Sequence, residues 1–207
     1  MNFVRPIEAI VPGAQGRVLA VLAETTAEPN LRTVARLAGV SLAQASRVLP
    51  GLVALGVVER REVPPSSLFR LVPEHVASQA LLALARSTEN VLVEMGRLAD
   101  AMPRSPLSVI VFGSFARGEA GPDSDVDIVV VRPAEIGEDD EEWAGSIETW
   151  RHNLRRLTGN PIELFEVSAD EAAAKLVGRS PLWSDIRRDG RIVHGLDLNQ
   201  LKAVRNG

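Results

Sequence analysis

Two carboxylates, Asp125 and Asp127, stand at the mouth of the apolar run "DVDIVVV" (125–131), and Gly113-Ser114 closes the apolar run before it, "LSVIVF" (107–112). Buried β-structure normally excludes acids, because an unpaired charge removed from water is costly. Residues two apart on a strand share a face, so Asp125 and Asp127 point the same way. Val129 and Val131 continue that face, while Val126, Ile128 and Val130 cover the other. Apolar residues on both faces mark a central strand with its acids gathered at one end. Neighbouring carboxylates repel unless a cation lies between them, and Mg²⁺ takes oxygen ligands of this kind, usually one or two carboxylates plus substrate phosphates. Gly113 lets the backbone turn tightly against a ligand, and Ser114 adds a hydroxyl. If "SFAR" opens a short helix, its free amides favour an anion at the same spot. A phosphate seat facing metal-binding acids points to nucleotide chemistry.

Two common nucleotide motifs are excluded. "GSFARGEA" has the glycine spacing of a P-loop, but Glu119 and Ala120 stand where Lys and Ser or Thr are needed. No G-x-G-x-x-G follows a strand, so a dinucleotide-binding Rossmann site is unsupported. Instead "GSFARGEAGPDSDVDIVV" (113–130) resembles the DNA polymerase β-like nucleotidyltransferase superfamily, in particular its minimal nucleotidyltransferases. The similarity runs from about residue 105 to 196, through "SPLWSDIRRDGRIVHG" (180–195).

That resemblance implies a third carboxylate on a neighbouring strand. "NPIELFEV" (160–167) supplies Glu163 and Glu166, which face opposite sides of the strand. Glu163 matches the family position and shares its face with Phe165 and Val167, so it is the expected ligand; Glu166 is the alternative, a solvated carboxylate near the strand's end. The family often has Asp here, and the longer Glu arm bears on metal geometry. The resemblance further implies two-metal transfer: Asp125 and Asp127 hold two Mg²⁺ ions, Glu163 joins one of them, and the phosphates of ATP or another NTP rest on Gly113 and Ser114. Arg117 either contacts a phosphate or braces the loop against Asp123 or Glu119.

The elements that position these residues follow a longer preamble. "AQGRVLAVLAETTA" (14–27), "NLRTVARLAGV" (30–40) and "SLAQASRVLPGLVALG" (41–56) have helical spacing, with Asn30 and Ser41 as caps. "VVERREVPPSSLFRLV" (57–72) reads as two strands around a Pro-Pro-Ser-Ser turn. This order resembles a winged helix-turn-helix of the MarR and ArsR regulators. Such a module sets its third helix in the major groove, which implies Ser41, Leu42, Gln44, Ala45 and Arg47 near bases and Arg60 and Arg61 near phosphates. Pro50 is expected to kink that helix. "PEHVASQALLALARSTENVLVEMGRLADAM" (73–102) reads as one long helix. The expected fold is α/β (α+β): a winged helix-turn-helix over 1–73, a connecting helix over 74–102, and a nucleotidyltransferase domain over 103–207 with a small mixed sheet flanked by helices.

Charge is split in the same way. Residues 1–75 hold eight Arg and six acids, net +2, and the remainder 15 basic and 21 acidic residues, net −6. The chain has no cysteine, which excludes disulfides and thiolate metal sites and fits a reducing cytoplasm. No signal peptide and no membrane-length apolar run is read, so a cytoplasmic location is expected. His75, His152 and His194 lack metal-ligand spacing, the acidic run "EIGEDDEEW" (135–143) reads as a solvated helix start, and Trp143, Trp150 and Trp183 read as packing residues.

The resemblance implies an enzyme that moves an NMP, AMP foremost, from an NTP to a hydroxyl acceptor. Minimal nucleotidyltransferases occur as antitoxins beside HEPN-type toxins, so a partner toxin is the expected acceptor, with the helix-turn-helix binding DNA to regulate the operon. The alternatives are a regulator that only senses nucleotide and an antibiotic-modifying enzyme. The second has little room, since only 40 residues follow Val167. A homodimer is expected, and no membrane partner.

Overall fold

Helix caps set the boundaries of the N-terminal elements. α1 (Pro6–Ile10) opens on a proline, and α2 (Ala14–Glu24) follows Gly13. The Asn30 side chain accepts from the Thr33 amide at 3.0 Å and starts α3 (Leu31–Leu37). Gly39, at φ +59°, turns the chain into α4 (Leu42–Ala54). α4 runs through Pro50 to Ala54; the expected kink does not end it, because Ser46 and Pro50 are exposed and water can reach the freed carbonyl. β1 (Val58–Val63) and β2 (Ser66–Leu71) form an antiparallel hairpin closed by Pro64-Pro65, and α5 (Val76–Ala85) follows.

The segment expected as one long helix is two, α5 and α6 (Ser87–Asp100), broken at Arg86. Each half serves a different core. Leu81, Leu82 and Leu84 pack on the core of Val18, Leu22, Val34, Leu49 and Phe69, whereas Val91, Leu92, Met95 and Ala99 belong to the core of the following sheet. The computed structural model describes residues 1–204 and divides accordingly. One compact unit is Asn2 with Val4–Ser87; the other is Met1 and Phe3 with the residues from Thr88 onward.

The second unit continues with β3 (Ser108–Phe112), α7 (Gly113–Ala116), β4 (Val126–Arg132), α8 (Glu141–Thr158) and β5 (Ile162–Ser168). α9 (Ala169–Val177), α10 (Pro181–Asp189), β6 (Arg191–Gly195) and α11 (Leu198–Ala203) complete it. Its mixed sheet has the order β5-β4-β3-β6, with β4 and β5 parallel and the other pairs antiparallel. β4 is central and buried on both faces. Val126, Ile128 and Val130 lie in one core with Trp143, Trp150 and Leu154; Val129 and Val131 lie in the other with Leu176, Trp183 and Ile186. Each such aliphatic side chain contributes about 1.5–3 kcal/mol by leaving water. All three tryptophans pack helices on the sheet. Among the described residues no single helix is long and apolar enough to cross a membrane.

Candidate functional site

Strand register assembles the acids. Asp127 pairs with Phe112 of β3 on one side and Glu163 of β5 on the other. Residues in register on adjacent strands project from the same face, so Asp127 and Glu163 stand side by side. The ring pair Phe112–Phe165, with centroids 5.8 Å apart, lies on that face. Asp125, exposed, immediately precedes β4.

Gly113 closes the site from the β3 side. Its φ is +71°, and a Cβ there would lie 2.4 Å from the Asp127 carboxylate Oδ2, so any other side chain displaces the acid. Ser114 follows, half-buried. The Asp127 carboxyl is raised above the usual carboxylate range, chiefly by burial, then by the charges of Asp125 and Glu163, with Arg117 opposing. Those causes also group the three acids electrostatically.

Glu166 is turned to the other face. It forms an ion pair with Arg132 at 2.8 Å and accepts from the Trp143 indole Nε1 at 3.1 Å. Its carboxylate is thus engaged in the packing of α8, away from Asp127. Arg117 donates to Glu119 at 2.8 Å, one of the two braces weighed from sequence, and to Asp189 of α10 at 3.5 Å. Asp123 is not among its partners in these contacts, and Asp189 was not foreseen, being 72 positions away.

Asn160 is the residue that sequence reasoning missed. Fully buried, its amide Nδ2 donates to the carbonyls of Gly121 at 3.1 Å, Pro122 at 3.4 Å and Ser124 at 2.9 Å. The Val126 amide donates to Pro161 at 2.9 Å beside it. Asn160 therefore fixes the loop that delivers Asp125 while sitting three residues before Glu163. The only signal in the sequence is an Asn-Pro at a turn, which reads as a breaker.

The donor set suits a hard divalent cation. Asp127, half-buried between two neighbouring acids, is the carboxylate that positive charge at this point would favour most. Among the described residues no three acids close round a single point.

The DNA-side candidates occupy different environments. Ser41 and Gln44 cap each other: Gln44 N donates to Ser41 Oγ at 3.1 Å, and Ser41 N to Gln44 Oε1 at 2.9 Å. Leu42 is exposed and Ala45 is buried. Arg47 donates to the Ala43 carbonyl at 3.2 Å. Arg60 pairs with Glu62 at 2.6 Å, and Arg61 with Glu28.

The family model of the nucleotidyltransferase domain matches residues 95–176, which span the Gly-Ser turn and all three carboxylates. The chain carries a nucleotidyltransferase domain. Ahead of it, the IclR helix-turn-helix domain matches residues 16–62, so the helix-turn-helix is of the IclR type in place of the MarR and ArsR types expected. Two solved structures are similar over 57% of this chain. One is a toxin–antitoxin with AMP-PNP, 17% identical over 81% of that chain, with a TM-score of 0.35. The other is a mutant of the toxin–antitoxin MntA-HpeT, 14% identical over 80% of that chain, also with a TM-score of 0.35. No curated protein matches the chain.

Proposed function

We propose that residues 103–207 catalyse Mg²⁺-dependent transfer of an NMP, AMP foremost, from an NTP to a hydroxyl of a partner protein, and that residues 1–73 bind DNA to regulate its expression. The observation that carries this reading is the register that sets Asp127 beside Glu163, with Gly113 packed against Asp127. Asp125, Asp127 and Glu163 hold the metal, and Gly113 and Ser114 bear the donor phosphates. Bound Mg²⁺ supplies positive charge to the phosphates and to the leaving group. Glu163, exposed at the edge strand, takes the proton of the acceptor hydroxyl. The hydroxyl oxygen bonds to the α-phosphorus, the bond from that phosphorus to the β-bridging oxygen breaks, and pyrophosphate leaves. Arg117, bonded to Glu119 and Asp189, braces the loop that follows Ser114. The expected acceptor is a toxin, and the expected assembly a homodimer, measurable by sedimentation.

Labelled ATP and Mg²⁺ with the product of the neighbouring gene test this, with Asp127→Ala as control. Metal-dependent label on the partner, lost in the variant, supports transfer. Nucleotide binding without transfer to any acceptor overturns it and favours a nucleotide sensor.

A further inference from the structure

The helix-turn-helix unit distributes its positive charge unevenly. β1 and β2 carry Arg60, Arg61 and Arg70, and each faces an acid. Arg60 pairs with Glu62 at 2.6 Å and also donates to Ser67. Arg70 pairs with Glu59 at 2.6 Å and lies 3.9 Å from Glu28, which holds Arg61 as well. Glu59 and Glu62 of the hairpin, together with Glu28 from outside it, leave none of its three arginines uncompensated.

α3 and α4 differ. Residues 29–58 contain three arginines, Arg32, Arg36 and Arg47, and no acid. All three are exposed, and none has an ion pair among the described residues. Arg32 and Arg36 are four apart on α3 and share one side of it. Arg32 also lines a cleft of about 930 Å³ together with Leu42, Ser46 and Pro50 of α4, so it stands beside the helix that carries Arg47.

We propose that Arg32, Arg36 and Arg47 make the DNA phosphate contacts of this module, and that the hairpin arginines are held out of that role by their glutamates. This rests on the reading of residues 1–73 as DNA-binding. A phosphate needs uncompensated positive charge, because affinity comes from counterions released as each phosphate is neutralised. An arginine with a carboxylate at 2.6 Å must exchange one anion for another, which gains little. Glu28 is the lever, since it faces both Arg61 and Arg70.

The test is the salt dependence of binding of the full chain to a short mixed-sequence DNA duplex. Each lost phosphate contact lowers the slope of log K against log salt by about 0.9. Arg32→Ala and Arg36→Ala are each expected to lower it by about that amount, and Arg61→Ala by less than about a third of it. Glu28→Gln is expected to steepen the slope and tighten binding severalfold by releasing Arg61, while Glu59 and Glu62 still hold Arg70 and Arg60. A slope that falls with Arg61→Ala and not with the α3 variants overturns the assignment, as does unchanged binding in Glu28→Gln. If the unaltered chain fails to bind duplex even at low salt, the DNA-binding reading itself fails. Thermal melting checks that each variant is folded.

Discussion

Asp127 is half-buried beside Asp125 and Glu163, so its proton leaves at a higher pH than that of an ordinary aspartate. In the window between the ordinary Asp value and this raised one, the folded chain keeps a proton that the unfolded chain has released. Stability contributed by Asp127 is therefore present below the ordinary value and lost as pH rises through the raised one. Asp127→Asn removes the penalty. It is expected to raise the melting temperature at neutral pH by on the order of 2 °C while lowering transfer by about 10²–10³-fold. A fall in melting temperature on that substitution refutes the linkage. The two glutamates separate in the opposite sense. Glu163→Gln is expected to cut transfer at least about tenfold with little change in melting. Glu166→Gln, losing the Arg132 pair, is expected to lower melting by about 2 °C with transfer within about twofold. Equal losses of transfer in both variants remove the assignment. Alternation along "NPIELFEV" already put these residues on opposite faces; the partners Arg132 and Trp143 lie 34 and 23 positions from Glu166 and carry no mark in the sequence.

At the scale of elements, Asn160 joins the end of α8, the start of β5 and the loop before β4. Asn160→Ala leaves the carbonyls of Gly121, Pro122 and Ser124 without their donor, a loss of about 2–3 kcal/mol. A purely structural role stops there. Because the loop delivers Asp125, the variant is also expected to raise the Mg²⁺ concentration needed for half-maximal nucleotide binding, measured by calorimetry below its melting temperature. An unchanged Mg²⁺ requirement restricts Asn160 to stability. β3 and β4 were legible as apolar runs bounded by Gly, Pro and Asp, and the edge strand β5 by its alternation. The break at Arg86 was not. Helical spacing continues across it, and the chain divides because its two halves are claimed by two cores.

At the scale of the whole molecule, the nucleotidyltransferase unit recruits residues from far upstream. Phe3 meets Phe115 edge-on at 4.8 Å, and its amide donates to Ala120 at 2.9 Å, on either side of the Gly118-Glu119 turn. Phe3→Ala is expected to cost about 3 kcal/mol. Hydrogen exchange is expected to speed up around Phe115 and Ala120 and to stay unchanged in α2, α3 and α4. Exchange that rises throughout 14–54 as well counts against Phe3 acting within its own unit.

The sequence by itself determined the chemistry on offer: a Gly-Ser turn, a D-x-D at a strand mouth, candidate glutamates downstream, and helix-turn-helix punctuation ahead of them. These are local features, written in the spacing of adjacent residues. Only the tertiary structure decided which charges are spoken for. Glu166 is held by Arg132, Arg61 by Glu28 and Arg117 by Asp189, while Arg32 and Arg36 are left open to solvent. Pairing depends on distances between segments remote in the chain, and no residue's type or neighbours encode it.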